Sequence, residues 1–302
     1  MRLAEFSLST YLSSSTPDRF DLKEADRLMT PYLSVVIPAF NEEQRITQTL
    51  SAIYSYLQKQ DYEWEVLVVI DGAEDNTLAR TQAFAAGRQH IRWIDRKQNR
   101  GKGYSIREGL LAATGRVRLF TDADNSISIS NFDKMAPLFN DGYDLVICSR
   151  HSRDVTGPLH EGPQSRVKRV LRGAGNLFIQ TVAVPGIWDT QCGFKAFRNS
   201  AVEKIFSVCK IDGWGFDAEA LALARYLNYR IGIVPARWSN RPGTHLRPAH
   251  YFDVLYETVK VQWNLVTGAY AHELRRREQP NLQTNAVLVD ESVRGHANNA
   301  AS

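Results

Sequence analysis

Residues 33–71, LSVVIPAFNEEQRITQTLSAIYSYLQKQDYEWEVLVVID, decide the fold. The run LSVVIP (33–38) is almost wholly apolar and stops at Pro38, so it reads as a strand buried on both faces. Asn41 then stands where a helix cap belongs. Ile46, Leu50, Ile53 and Leu57 recur at helical spacing through EEQRITQTLSAIYSYLQ. A second apolar run, EVLVVI (65–70), follows. Strand, helix and strand in that order describe a βαβ unit.

The unit repeats. Turn DGAEDNT leads into a helix ending near Arg88, IRWID is a third strand, and NRGKG is a glycine-rich turn. Helix YSIREGLLAAT ends near Gly115, RVRLFT is a fourth strand and YDLVICS a fifth. This alternation predicts an α/β fold: a Rossmann-like, mostly parallel sheet with helices on both faces. In such sheets ligands bind beyond the carboxyl ends of the strands, so the residues just after each strand are the candidates for function.

Past residue 150 the rhythm changes. A basic stretch bearing Gly and Pro (150–172) runs into a helix. Strand GFKAF, helices around SAVEKIF and DAEALALARYL, and strand RIGIVPARW come next. The expected division is a leader (1–30), one domain (31–248), a C-terminal amphipathic helix (249–272) and a disordered tail (273–302). In that helix Phe252, Leu255, Val259, Trp263 and Val266 share a stripe. The favoured reading packs the stripe on the protein's own core, and the alternative lays it on a membrane surface.

Composition excludes several classes. Of 302 residues, 43% are hydrophobic and 23% charged, which is ordinary for a globular chain. The net charge of +4 is small for a dedicated nucleic-acid binder. It is also local: residues 150–172 carry +4, while Arg237, Arg241 and Arg247 add +3. Arginine dominates both patches, which favours bidentate anion recognition. The stretch 150–172 lacks the interleaved aromatics that stack single strands, so no nucleic-acid partner is expected. Three cysteines, Cys148, Cys192 and Cys209, are too few and too odd for a disulfide framework and fit a reducing cytoplasm. No apolar run reaches the roughly 18 residues of a transmembrane helix.

Three clusters carry chemistry. Asp122-Ala123-Asp124 follows the fourth strand; carboxylates at i and i+2 of an extended segment point the same way. Two converging acids call for a cation, and all-oxygen ligation suits Mg²⁺ or Mn²⁺ with diphosphate oxygens completing the shell. Asn99-Arg100-Gly101-Lys102-Gly103 lets backbone approach a ligand and brings a lysine to phosphate charge, although it is also the composition of a plain tight turn. Trp214-Gly215-Phe216-Asp217-Ala218-Glu219 opens a helix with acids in an apolar setting, either as helix N-terminal charge or as a general base. Taken singly, Asn41 and Asp71 read as turn and capping residues.

Together the strings VVIPAFNEE, VVIDGAEDNT, NRGKGYSIREGL, TDADNS, DLVICSR, DTQCGFKAF and GWGFDAEAL resemble the family 2 glycosyltransferases of the GT-A fold. The last four most resemble the branch that makes polyprenyl-phosphate sugars. The resemblance spans about Leu33 to Arg247 and implies a nucleotide-sugar half (31–125) and an acceptor half (126–248). By position it implies that Pro38, Ala39, Asn41, Glu42, Asp71 and Gly101 seat the nucleoside diphosphate. Lys102 would lie at the diphosphate, Asp122, Ala123 and Asp124 at ribose and metal, and Gln191 at the sugar. Asp217, Asp124 and Lys102 become the catalytic set, and Arg150, Arg166, Arg169 and Trp214 the acceptor set. The implied activity is inverting transfer of a hexose, glucose before mannose, from UDP-glucose or GDP-mannose to a polyprenyl or dolichyl phosphate. The alternative is a soluble hydroxyl acceptor. The implied location is the cytoplasm, at the membrane face if the acceptor is a lipid. Two positions depart from the pattern: Ile70 replaces the first acid of the second-strand turn, and Asn125 follows the acidic pair where leucine or glycine is usual.

Overall fold

A computed structural model describes residues 30–155, 166–236, 238 and 249–278, with side chains described except at 166–172, 174, 249–251 and 278. The first elements are β1 (Leu33–Ala39), α1 (Ile46–Leu57), β2 (Trp64–Asp71), α2 (Thr77–Ala85), β3 (Ile91–Arg96) and α3 (Lys102–Ala112). Next come β4 (Val117–Thr121), α4 (Phe132–Asn140), β5 (Leu145–Ser149), α5 (Arg166–Val182), β6 (Phe194–Arg198) and α6 (Asn199–Phe206). The described chain closes with α7 (Phe216–Tyr226), β7 (Ile231–Pro235), α8 (Ala249–Val266) and α9 (Ala269–Glu278). The strands form one seven-stranded sheet in the order β3-β2-β1-β4-β6-β5-β7. All neighbours pair in parallel except β6, which runs antiparallel to both β4 and β5.

Strand alternation divides the core into two layers. Val35 and Ile37 of β1 join a cluster with Ile46, Leu50 and Ile53 of α1 and Phe132 and Met135 of α4. Val36 of β1 and Leu67 and Val69 of β2 join Ile106 and Leu110 of α3 and the apolar face of α7 on the other side. Every residue of β2 is buried, as expected for a strand covered on both faces.

Four expectations change in detail. Pro38 lies inside β1 rather than ending it; pairing with β4 stops at Val36, where a residue without an N–H is tolerated. Asn41 does not cap α1, which begins at Ile46 with no side-chain cap. Instead Asn41 takes a left-handed φ of 54°, and its Oδ1 accepts from the Glu74 N–H at 2.9 Å, so it ties two turns together. The C-terminal segment is two helices, broken at Gly268 (φ 72°), and α9 runs to Glu278, into the expected tail. The apolar stripe of α8 does not pack on the core. Phe252, Tyr256, Val259, Trp263 and Val266 are 52–75% exposed, Leu255 is half-buried, and the buried face carries Thr258 and Val261.

At the amino ends of the strands a carboxylate joins four segments. Glu65 of β2 accepts from Ser34 Oγ (2.6 Å), the Thr114 N–H (2.6 Å) and Arg92 Nη2 (2.8 Å). Burial opposes its charge, but these donors hold its pKa below the usual range. A carboxyl held down in the folded state adds stability above its unfolded pKa and loses it as pH falls through the folded value. Glu65→Ala is therefore expected to lower unfolding free energy by about 2–4 kcal/mol in urea titration at neutral pH, with a smaller difference in acid.

Candidate active site

The parallel strands β1, β2 and β4 end at one edge of the sheet. Because β6 is reversed, the residues before it arrive at that same edge. Phe194, the first residue of β6, pairs with Thr121, the last of β4. The segment 189–193 is thereby set beside Asp122. The fit is close enough that a side chain at Gly193 would fall on the Asp122 carboxylate.

Lys102, the first residue of α3, reaches across to this carboxylate, with Nζ 2.6 Å from Asp122 Oδ1. The same ammonium lies 5.1 Å from the ring centroid of Trp214. Burial disfavours the charged amine, yet Asp122, Asp217 and Asp124 outweigh it and hold the Lys102 pKa above its ordinary value. Lys102 is thus a fixed cation among three acids. Gly101 (φ 103°) and Gly103 permit this. Side chains there would strike the Asp212 carbonyl and, at 2.8 Å, the Gly213 carbonyl, so the glycine turn lies flat against the loop before α7.

Asp71 closes the turn from below. Its two oxygens accept from the Arg100 N–H (2.8 Å) and the Gly101 N–H (2.9 Å). Glu42 engages Arg45 through both oxygens, at 2.7 and 2.8 Å, and its N–H donates to Thr77 Oγ1. Pro38 and Ala39 close β1 at the same edge. Asp71, Asn41 and Glu42 therefore spend these bonds on shaping the loops.

The acidic pair fits a divalent cation. Asp124 Oδ1 accepts from the Ser126 N–H at 2.8 Å, and Oδ2 of each aspartate stays outside these bonds. Asn125, just after the pair, takes φ 51°, a left-handed setting that asparagine tolerates better than leucine would. Among the described residues no group of three or more His, Cys, Asp or Glu gathers to hold a metal. A pair of carboxylates that leaves other positions to phosphate oxygens is the usual protein share for Mg²⁺ or Mn²⁺.

Beside the pair, Gln191 Nε2 and Thr190 Oγ1 are buried without a hydrogen-bond partner. Unspent polar atoms in native interiors call for a ligand or water. Gln191 was expected to line a sugar pocket, but the sequence did not point to Thr190.

Asp217 and Arg150 are more committed than expected. Asp217 is buried and ion-paired with Lys195, a fully buried lysine that also donates to the Cys192 carbonyl at 2.6 Å. Burial pushes the Asp217 carboxyl up, with Lys195 and Lys102 opposing. Arg150 grips Asp189 bidentately, at 2.8 Å through both Nε and Nη2. Burial works against its charge and Asp189 more than compensates, which raises its pKa. Arg166 and Arg169 lie in the first turn of α5; their side chains, like Arg237, Arg241 and Arg247, fall outside the described residues. Burial pushes the Cys192 thiol up to about 12, so it is no nucleophile near neutral pH.

Lys195 and Asp189 escaped the sequence reading, although a signal existed for one. A lysine inside the apolar strand FKAFR requires a buried acid, and Asp217, in an apolar helix start, is its match.

A mostly parallel seven-stranded sheet of this order, with helices on both faces, is a GT-A fold. The model of glycosyl transferase family 2 matches residues 34–206, and the chain belongs to that family. A dolichyl-phosphate β-glucosyltransferase from Dictyostelium discoideum is 30% identical over 250 residues, 79% of this chain and 76% of the relative. Its counterpart in Drosophila melanogaster is 33% identical over 72% of this chain and 69% of that protein. Among solved structures, glucosyl-3-phosphoglycerate synthase from Mycobacterium tuberculosis, in complex with UDP, superposes with a TM-score of 0.56 at 21% identity. It covers 79% of this chain and 82% of that one. The same synthase has also been solved with Mn²⁺, UDP-glucose and phosphoglyceric acid. No helix among the described residues is long and apolar enough to cross a membrane.

Lys195→Met leaves Asp217 buried without its partner. We expect a loss of about 3–5 kcal/mol by chemical denaturation, largely recovered in Lys195→Met/Asp217→Leu, where both charges go together.

Proposed function

We propose that this glycosyltransferase moves glucose from UDP-glucose to a polyprenyl phosphate of the dolichyl type, with inversion at the anomeric carbon. The Lys102–Asp122 contact at the strand ends carries the reading. It supplies a fixed cation beside an acidic pair, which is what a departing nucleoside diphosphate needs. The names of the curated relatives support dolichyl phosphate and glucose over mannose.

In this scheme Asp122 and Asp124 hold a divalent cation, whose part is to neutralise charge on the diphosphate. Thr190 and Gln191 receive sugar hydroxyls. A phosphate oxygen of the acceptor attacks C1 on the side opposite the diphosphate. The C1–O bond to the diphosphate breaks, its electron pair leaves on UDP, and Lys102 stabilises that charge. Inversion follows from the opposed directions of attack and departure. With a second pKa of roughly 6, the acceptor is already ionised near neutral pH and no strong base is required.

The buried Lys195–Asp217 pair favours this reading over a hydroxyl acceptor. A base must be open to the proton it takes, and Asp217 is closed in and spoken for. Arg166 and Arg169 are assigned to the acceptor phosphate, and Arg150 to the loop that carries Asp189. The exposed stripe of α8, with Lys260 exposed on the same helix and Arg275, Arg276 and Arg277 in the last turn of α9, suits a bilayer surface bearing anionic lipid.

Two measurements test the reading. A donor panel with Mg²⁺ or Mn²⁺ and polyprenyl phosphate should yield radiolabelled glucose in chloroform from UDP-glucose, and label confined to water would reject the lipid acceptor. Arg166→Ala/Arg169→Ala should raise the acceptor KM at least tenfold while moving the donor KM less than threefold; the reverse pattern would remove them from the acceptor site. For the surface, Phe252→Ser/Trp263→Ser should abolish sedimentation with anionic vesicles at low salt.

A further inference from the structure

The loop before α7, residues 210–215, carries Trp214 under Lys102 and presses its backbone against the glycine turn. Tyr104 N–H donates to the Asp212 carbonyl at 3.1 Å, and Arg107 Nη2 lies 2.6 Å from Asp212 Oδ1. None of these bonds explains why the loop keeps its shape on the other side. That side is held by the C-terminal helices.

Glu257 of α8 accepts the Gly215 N–H on Oε2 at 2.6 Å. The loop is wrapped around this carboxylate. A side chain at Gly213 would collide with Glu257 Oε1, and one at Gly215 would approach its Cβ to 2.6 Å. Trp214 is thus flanked by two glycines that both abut one acid. The start of the loop is fixed in the same way. Glu219, fully buried in α7, accepts the Lys210 N–H (2.7 Å), the Ile211 N–H (3.0 Å) and the Tyr270 hydroxyl of α9 (2.6 Å).

Carboxylates that accept backbone N–H groups are directional restraints, whether half-buried like Glu257 or buried like Glu219, and removing one leaves those donors without that partner. Here the restraint passes through three contacts: Glu257 to Gly215, Trp214 to Lys102, and Lys102 to Asp122. We propose that Glu257 is a positioning residue for sugar transfer: it seats Trp214 under Lys102 and so fixes the ammonium that meets the departing diphosphate. This inference rests on the transferase reading above and adds a residue from outside the sheet, on a helix whose opposite face is exposed. Glu257 touches no reacting atom.

The test is a double-mutant cycle on turnover, using the full chain with the donor and acceptor for which wild-type activity is measured. Glu257→Ala should lower kcat at least tenfold. Glu257→Gln, which keeps an acceptor oxygen, should remain within threefold of wild type. Trp214→Ala should also lower kcat, and adding Glu257→Ala to it should cost less than a further threefold, because the intermediary is already gone. Multiplicative losses in the double variant would overturn the proposal, as would a Glu257→Ala enzyme with unchanged kcat. If Glu257→Ala does not fold, Glu257→Asp, whose shorter side chain draws the carboxylate back from the Gly215 N–H, replaces it in the same cycle. A kcat within threefold of wild type in Glu257→Asp would likewise overturn it. Failure of wild type to transfer any sugar would count against the transferase reading instead, so the two failures are distinguishable.

Discussion

One contact organises the edge where the parallel strands end: the Lys102 ammonium against the Asp122 carboxylate. A lysine so enclosed is stable only if its charge is matched, and an acid pair so close together is stable only beside a cation. Each therefore requires the other, and the local chain is shaped to let them meet. Glycines stand at 101, 103 and 193 because side chains there would occupy the space of the Asp212 carbonyl, the Gly213 carbonyl and Asp122 itself. Asp71 ties down the turn that delivers Lys102, and the reversed strand β6 brings Gly193 into place.

Charge is handled in layers around that contact. Behind it, Lys195 and Asp217 neutralise one another out of reach of water. To one side a partly exposed Arg150 pairs with buried Asp189, and Asp154 accepts the Trp188 and Asp189 N–H groups at 2.8 Å. The outer pairs fix loops and leave the central one as the place where charge is not yet fully balanced. With Lys102 set against Asp122 and Asp124 the imbalance is negative, which is the kind a further cation relieves.

Much of this was legible in the sequence, and what was not has physical causes. Apolar runs separated by helical periods gave away the sheet, and the rule that ligands gather at strand ends led to Lys102, Asp122 and Asp124. Strand direction is not written in periodicity, so the reversal of β6, which makes residues before a strand matter, stayed hidden. Asn41 misled because the side chain that suits a helix cap also suits a left-handed turn. The stripe of α8 misled for a subtler reason. Its inward side carries half-buried Glu257 and buried Thr258, whose polar groups are satisfied by Gly215 N–H and the Val254 carbonyl, so the apolar residues looked like the inward ones. Periodicity tells which residues share a face, not what the face meets.

That helix is inside out relative to an ordinary water-soluble one. Its anchored side is partly polar and its free side apolar, and no twist about its axis can trade the two without breaking the Glu257–Gly215 bond. Among the described residues nothing covers the free side, where Phe252, Tyr256, Trp263 and Val266 are 67–75% exposed. An apolar face pinned outward in this way cannot be hidden by rolling the helix, so only a second surface brought up to it would take it out of water.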